Sequence, residues 1–179
     1  MEREIFGITL DQLTLAGVQT VYMLGWGMLF GTLIGIGLAL ALVLSRRGGL
    51  MENRVTYAVV NVTINIVRSI PFIILLVAMM PITRMIVGTS VGSRAALVPL
   101  ITYIAPFIAR MVEASLLEVS PGVLEAAKAM GASNAQIVRR FLLPEAYSSI
   151  VLALTTSVVG LLGATAMAGY GGGGGVGDL

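Results

Sequence analysis

Neither cysteine nor histidine occurs among the 179 residues. Without thiols there is no disulfide framework and no thiolate metal site, and without imidazole there is no histidine ligand, triad base or phosphohistidine relay. Charge is scarce as well. Asp, Glu, Lys and Arg make up 11% of the chain, against roughly a quarter in a soluble domain. Residues 12–45 contain none of them, and neither do residues 146–177. A Gly-x4-Gly-Lys-[Ser/Thr] phosphate loop is also missing, because the glycines at 171–175 are not followed by lysine. What the chain does have is apolar length: 57% hydrophobic residues and a mean hydropathy of +0.97. The 11 Lys and Arg residues stand singly or in pairs between apolar runs. They read as topology signals and not as a face for nucleic acid. An all-α, polytopic membrane protein without catalytic chemistry of its own is therefore expected, as a single domain over residues 1–179.

A helix rising 1.5 Å per residue needs about 20 apolar residues to cross a hydrocarbon core of about 30 Å. Four segments meet that requirement. The first, within 13–44, is longer than one crossing needs and reads as a retained span, not a cleaved signal. The second, within 55–83, is interrupted by Arg68 and Pro71. Pro71 lacks a backbone N–H and kinks or restarts the helix. The third, about 95–114, carries Arg110 and Glu113 near one end. The fourth, about 147–168, follows Pro144 and runs into the glycines 171–175, which read as a loop because glycine is costly in a regular helix.

Seven Lys and Arg residues lie between spans one and two or three and four: Arg46, Arg47, Arg54, Arg110, Lys128, Arg139 and Arg140. Only Arg3, Arg84 and Arg94 lie on the other side. The positive-inside rule then puts the two richer loops in the cytoplasm and the N-terminus outside it. Gly27, Gly31 and Gly35 recur at every fourth position of span one, leaving a stripe where another backbone can approach. In span four, small residues interleave with Thr155, Thr156, Ser157 and Thr165, a pattern that suits either packing or a narrow polar path. Arg68 is costly in lipid, and reads either as an interface anchor or as part of a path. No carboxylate lies well inside a span, which disfavours proton or sodium coupling.

The only long polar stretch, residues 113–145, is heavily punctuated. Ser120 and Pro121 can start a short helix that Gly131 ends in a left-handed conformation. Ser133 and Gln136 have the spacing of a capping box for a second helix, with Ile137, Val138, Phe141 and Leu142 on its apolar face. Two short helices meeting at Gly131 would make either an interfacial pair at the inner leaflet or a rigid projection for a partner in the cytoplasm.

Glu125-Ala126-Ala127, three residues, Gly131, nine residues, one apolar position, one residue and Leu143-Pro144 together resemble the EAA loop of ATP-binding cassette importer permeases. The one departure is Phe141, where that pattern has isoleucine. Residues 65–76, 86–90 and 105–113 are most like the permease subunit of methionine importers. The resemblance implies a type I importer permease of the bacterial inner membrane with five helices per subunit. It also implies a second permease copy, two ATPase subunits seated on the EAA loops, and an extracytoplasmic substrate-binding protein. ATP and Mg would be bound by the partner ATPase and no cofactor by this chain. Alternating access of methionine, L or D, would follow from ATPase closure. Two departures qualify it: the chain stops at Leu179, ahead of the family's fifth span, and so looks truncated, and five consecutive glycines give a more flexible loop than the family's.

On this reading Glu125, Ala126, Ala127, Gly131, Leu143 and Pro144 couple to the ATPase, and Arg68, Ser69, Pro71, Thr165 and Met167 line the translocation path. Two other readings stay open. The same machine could carry another amino acid or small polar solute, since the ten methionines fill packing gaps as readily as they signal cargo. A self-contained channel or membrane scaffold would explain the spans but not the EAA spacing.

Overall fold

The long charge-free run at the start of the chain becomes α1, Leu10–Ser45, 36 residues of continuous helix. At 1.5 Å per residue it extends for about 54 Å, well past a hydrocarbon core of about 30 Å. The structure, a computed structural model, describes residues 4–5 and 8–179; Arg3 of the charge balance lies outside the described residues. Residues Glu4–Ile5 and Ile8–Thr9 form a two-residue antiparallel pair, and everything after it is helix or connection. Thr9 caps α1 in a capping box with Gln12, satisfying N–H groups that the first turn leaves open.

After a tight connection come α2, Arg54–Ser69, and α3, Phe72–Val87. Here the expected single span is corrected: the two helices meet at 110°. Ile70 and Pro71 are extended between them, because proline fixes its own φ and pushes the preceding residue out of the helical region. The bent pair nevertheless runs along its neighbour. Asn61 and Asn65 of α2 meet Arg110 near one end of α4, Ser93–Leu117, whereas Phe72 of α3 packs edge-on against Tyr103 further along it.

α4 is the central element. Of its most apolar stretch 56% is buried, against 28% for α1 and 33% for α8, Tyr147–Ala168. α1 reaches it through the glycine stripe. A Cβ built on Gly31 would stand 2.4 Å from Ile104, and one on Gly35 would stand 2.9 Å from the Ala105 carbonyl oxygen. The close approach anticipated at that stripe is therefore to α4 of the same subunit, with Gly27 meeting Leu161 of α8. Met23, Leu100, Ile104, Ile108, Val112 and Leu161 fill the core around this contact. The outer faces stay apolar and exposed, with Val18, Val21, Leu33, Leu152 and Val159 all beyond 60%. So large an apolar surface belongs in lipid.

The hydroxyls of α8 are paired within their own helix. Thr155, Thr156, Ser157 and Thr165 each donate to a carbonyl of their own helix, at 2.7–3.0 Å, which satisfies them without a water-filled path.

The glycine-rich segment corrects the expectation of a flexible loop. Gly169–Gly173 carries α8 onward as a π turn broken at Gly172, and the chain then folds back over α1 and α4. The Gly92 N–H donates to the Gly172 carbonyl at 2.8 Å and the Ser93 hydroxyl to that of Gly173 at 3.0 Å. The Gly175 N–H donates to Gln19 Oε1 at 2.8 Å and the Val176 N–H to Thr20 Oγ1 at 3.0 Å. A Cβ on Gly173 would fall 2.7 Å from the Ala168 carbonyl oxygen, and one on Gly174 2.5 Å from Gln19 Oε1. These glycines are present for proximity: the strap lies where side chains do not fit.

Gly35→Ala and Gly37→Ala change helix propensity equally, but only the first inserts a methyl into the α1–α4 contact, since Gly37 has open space around it. Heating the detergent-solubilised subunit should show Gly35→Ala losing about 1–3 kcal/mol of stability from overpacking and Gly37→Ala unchanged or slightly stabilised.

Candidate coupling loop and translocation path

α4 ends at Leu117, and after three connecting residues Pro121 opens α5, Pro121–Ala129. Ser120 precedes it as expected, although its side chain makes no capping bond. The end of α5 is fully formed. The Gly131 N–H donates to the Lys128 carbonyl at 2.9 Å and the Ala132 N–H to that of Ala127 at 3.1 Å, the paired bonds of a Schellman stop. Gly131 has φ +77°, a conformation that a side chain disfavours.

The anticipated capping box is present. Gln136 N–H donates to Ser133 Oγ at 3.4 Å, and Ser133 N–H to Gln136 Oε1 at 2.9 Å. It starts α6, Asn134–Ile137, which continues without a stop through a π turn, Val138–Leu142, into α7, Leu143–Glu145. Pro144 therefore does not end the second helix. Its ring clashes with an ordinary preceding turn and its nitrogen donates nothing. The turn instead widens so that the Leu143 N–H reaches back to Val138. The chain turns at Ala146 before α8 begins.

Within this hairpin the motif divides between two faces. Ala127 is fully buried, as are Ile137 and Leu142, and Leu143 is half-buried. Glu125, Ala126, Gly131 and Pro144 are exposed. Small, buried Ala127 lets α5 lie close to its own subunit, leaving Glu125 and Ala126 to face outward. The hairpin is braced directly at one point, and the segments that enter and leave it are tied to each other. Asn134 Nδ2 donates to the Leu50 carbonyl in the α1–α2 connection at 3.2 Å, and Ser149 of α8 donates to Glu118 just past α4 at 3.1 Å. Glu125, Lys128 and Arg46 also line a cleft of about 170 Å³ floored by Val43, Leu116 and Leu142.

The path residues do not form one cluster. Arg68, Ser69 and Pro71 sit together at the α2–α3 bend and are exposed, with the Ser69 hydroxyl donating to the Asn65 carbonyl at 2.7 Å. Thr165 is buried inside the subunit and Met167 is exposed on another face of α8.

One constellation went unnoticed in the sequence. Arg110 and Glu113 belong to α4 itself, which extends to Leu117, so Arg110 is not a loop charge. The Arg110 guanidinium donates to Glu113 Oε2 at 2.7 Å, to Asn65 Oδ1 at 2.9 Å and to Asn61 Oδ1. The Asn61 and Asn65 spacing of one helical turn was the available signal. Arg110–Glu113 is the single ion pair among the described residues.

Long helices with exposed apolar faces, and a polar two-helix projection at one end, are the build of a polytopic membrane subunit. The chain belongs to the family of binding-protein-dependent transport system inner membrane components, which it matches over residues 27–179. It is thus a non-catalytic membrane subunit of a transport system. It is 46% identical over 165 residues to the probable D-methionine transport system permease protein MetI of Pasteurella multocida (strain Pm70), covering 92% of this chain and 76% of that one. To D-methionine transport system permease protein MetI of Escherichia coli (strain K12) it is 52% identical over 140 residues, 78% of this chain and 64% of the relative. Among solved structures, a chain of the MetNI methionine ABC transporter in inward-facing conformations superposes with a TM-score of 0.91 at 47% identity. That match covers 96% of this chain and 81% of the other.

Trypsin can cut at Lys128, Arg139 and Arg140, all exposed on the hairpin. Gly131→Val forces a β-branched residue to φ +77° at a cost of about 1–3 kcal/mol, and should raise cleavage at these sites roughly tenfold. Gly131→Asn, which tolerates that conformation, should stay near the wild-type rate.

Proposed function

We propose that this chain is the transmembrane permease of an ATP-driven importer that takes up methionine, in both L and D forms, by alternating access. The observation that carries the proposal is the braced hairpin at 121–145, in which the Glu125-Ala126-Ala127 and Gly131 spacing stands on a Schellman stop and a capping box. A partner seated on such a projection moves the helices attached to it. Exposed Glu125 and Ala126 make the seat, Gly131 fixes the angle between the two helices, and Leu143 with Pro144 carries the movement into α8. The names of the D-methionine permease relatives and of the methionine transporter structure support the cargo.

In this reading two copies of the chain pair in the inner membrane, and two ATPase subunits bind the hairpins from the cytoplasm. ATP and Mg are held there, and the present chain holds no cofactor. A substrate-binding protein delivers the amino acid at the opposite face, where the N-terminus lies. ATPase closure draws the hairpins together and opens the outer end of the bundle; reopening returns it to an inward-facing form. Arg68, Ser69 and Pro71 at the bend of the second span, with Thr165 and Met167 of α8, line the path.

Co-purification of the tagged chain from its native membrane tests the coupling role. An ATPase subunit should accompany the wild type, and Glu125→Lys should reduce its recovery about tenfold through a reversed charge at the seat. Absence of any ATPase from the wild-type preparation would refute the importer reading. In proteoliposomes holding the whole complex, radiolabelled L-methionine should accumulate only with ATP, and accumulation of a different amino acid alone would reassign the cargo. Because the chain has no cysteine, orientation can be read directly. Ser133→Cys should react with an impermeant maleimide only in inverted vesicles, and Thr89→Cys only in intact cells.

A further inference from the structure

α2 and α4 are joined by one polar contact in an otherwise apolar setting. Arg110 stands two turns before the end of α4, with its side chain only 20% exposed and that of Glu113 11% exposed. One guanidinium nitrogen donates to Glu113 on the same helix. The other donates to the side-chain oxygens of Asn61 and Asn65, and lies 3.5 Å from the Asn61 carbonyl. Such a group is expensive to bury, and well-packed apolar residues in its place often do as well or better for stability. Stability alone is therefore a poor account of it. What it adds is register, because a planar, forked donor fits its acceptors in one arrangement only.

Its position gives that register a use. Toward one end, α4 runs from Arg110 to Leu117 and, after three connecting residues, the chain enters the hairpin at Pro121. Toward the other, Asn65 is the residue whose carbonyl receives the Ser69 hydroxyl, and Ser69 is the last residue of α2 before the 110° bend. Beyond the bend, α3 carries Leu76 against the glycine strap: a Cβ on Gly171 would meet Leu76 at 2.5 Å.

We propose that Arg110 is a positioning residue for transport: with Asn61 and Asn65 it clamps the lower half of the bent span to α4, so that displacement of the hairpin reaches the bend and α3. This rests on the importer reading above and adds to it the element through which the movement is passed. Glu113 holds the guanidinium in the orientation that meets both asparagines.

The decisive variant is Asn61→Ala combined with Asn65→Ala, which removes the link between helices and leaves the Arg110–Glu113 pair intact. A second variant, Arg110→Met with Glu113→Met, removes both charges together, so that neither is left buried alone. Each is assembled with the ATPase subunits and binding protein in proteoliposomes, and both ATP hydrolysis and amino acid uptake are measured. Hydrolysis should persist while uptake per ATP falls roughly tenfold, the scale of losing hydrogen bonds to a charged group. Asn65→Asp, which keeps an acceptor oxygen, should preserve the wild-type ratio. An unchanged ratio in both variants, or loss of assembly with hydrolysis and uptake declining in proportion, would overturn the clamp and leave the importer reading standing. A wild-type complex that hydrolyses ATP and moves no amino acid would overturn both.

Discussion

Three positions without side chains, Gly27, Gly31 and Gly35, set the distance between α1 and the rest of the molecule. In lipid there is no water to expel from between two apolar helices, so association depends on how many atoms can touch. A Cβ at 31 or 35 would stand within 3 Å of Ile104, Ile108 or the Ala105 carbonyl. With hydrogens there instead, α4 lies against α1 along its length, and α8, α3 and α2 are arranged around α4. The centre of the subunit is then filled mainly by apolar side chains, with Ser157 and Thr165 of α8 buried among them. The hydroxyls of α8, bonded within their own helix, add no polar surface to the interior.

The hairpin at the cytoplasmic end of the proposed topology is built on a different principle. It has little core of its own, and its shape comes from local bonds: a Schellman stop at Gly131, a capping box at Ser133 and a widened turn that admits Pro144. Asn134 to Leu50 ties it to the α1–α2 connection, and Ser149 to Glu118 joins the segments that enter and leave it. Local bonds of this kind fix angles, and the two ties fix placement. A body fixed in this way suits the seat proposed above for the partner ATPase.

Much of this was legible in the sequence because it is written in short-range patterns. Ser133 and Gln136 announce their capping box at a fixed spacing, Gly131 announces a left-handed stop, and the apolar run at 147–168 coincides with α8. The stripe in α1 announced a close approach without naming its partner. Less legible were features whose second half lies far along the chain. Pro71 shows that a helix breaks but not that it turns by 110°, since the angle is set by packing on α4. Pro144 suggested a stop, and the helix absorbed it by widening. Arg110 looked like a loop charge until Asn61 and Asn65, 49 and 45 residues away, were seen to receive it. The glycines at 171–175 resemble a flexible tether by composition alone, and only the proximity of Gln19 and Ala168 explains why nothing larger is there.

The strap also closes a circuit in time as well as in space. Its bonds from Gly175 and Val176 to Gln19 and Thr20 join positions 156 residues apart, so the contacts around the start of α1 stay incomplete until the residues that far along the chain have been made. At synthesis rates of about 5–20 residues per second that interval is on the order of ten seconds. During it the polar side chains of Gln19 and Thr20 face a gap that the strap later fills. α1 is thus finished only when the strap arrives to cover Gln19 and Thr20.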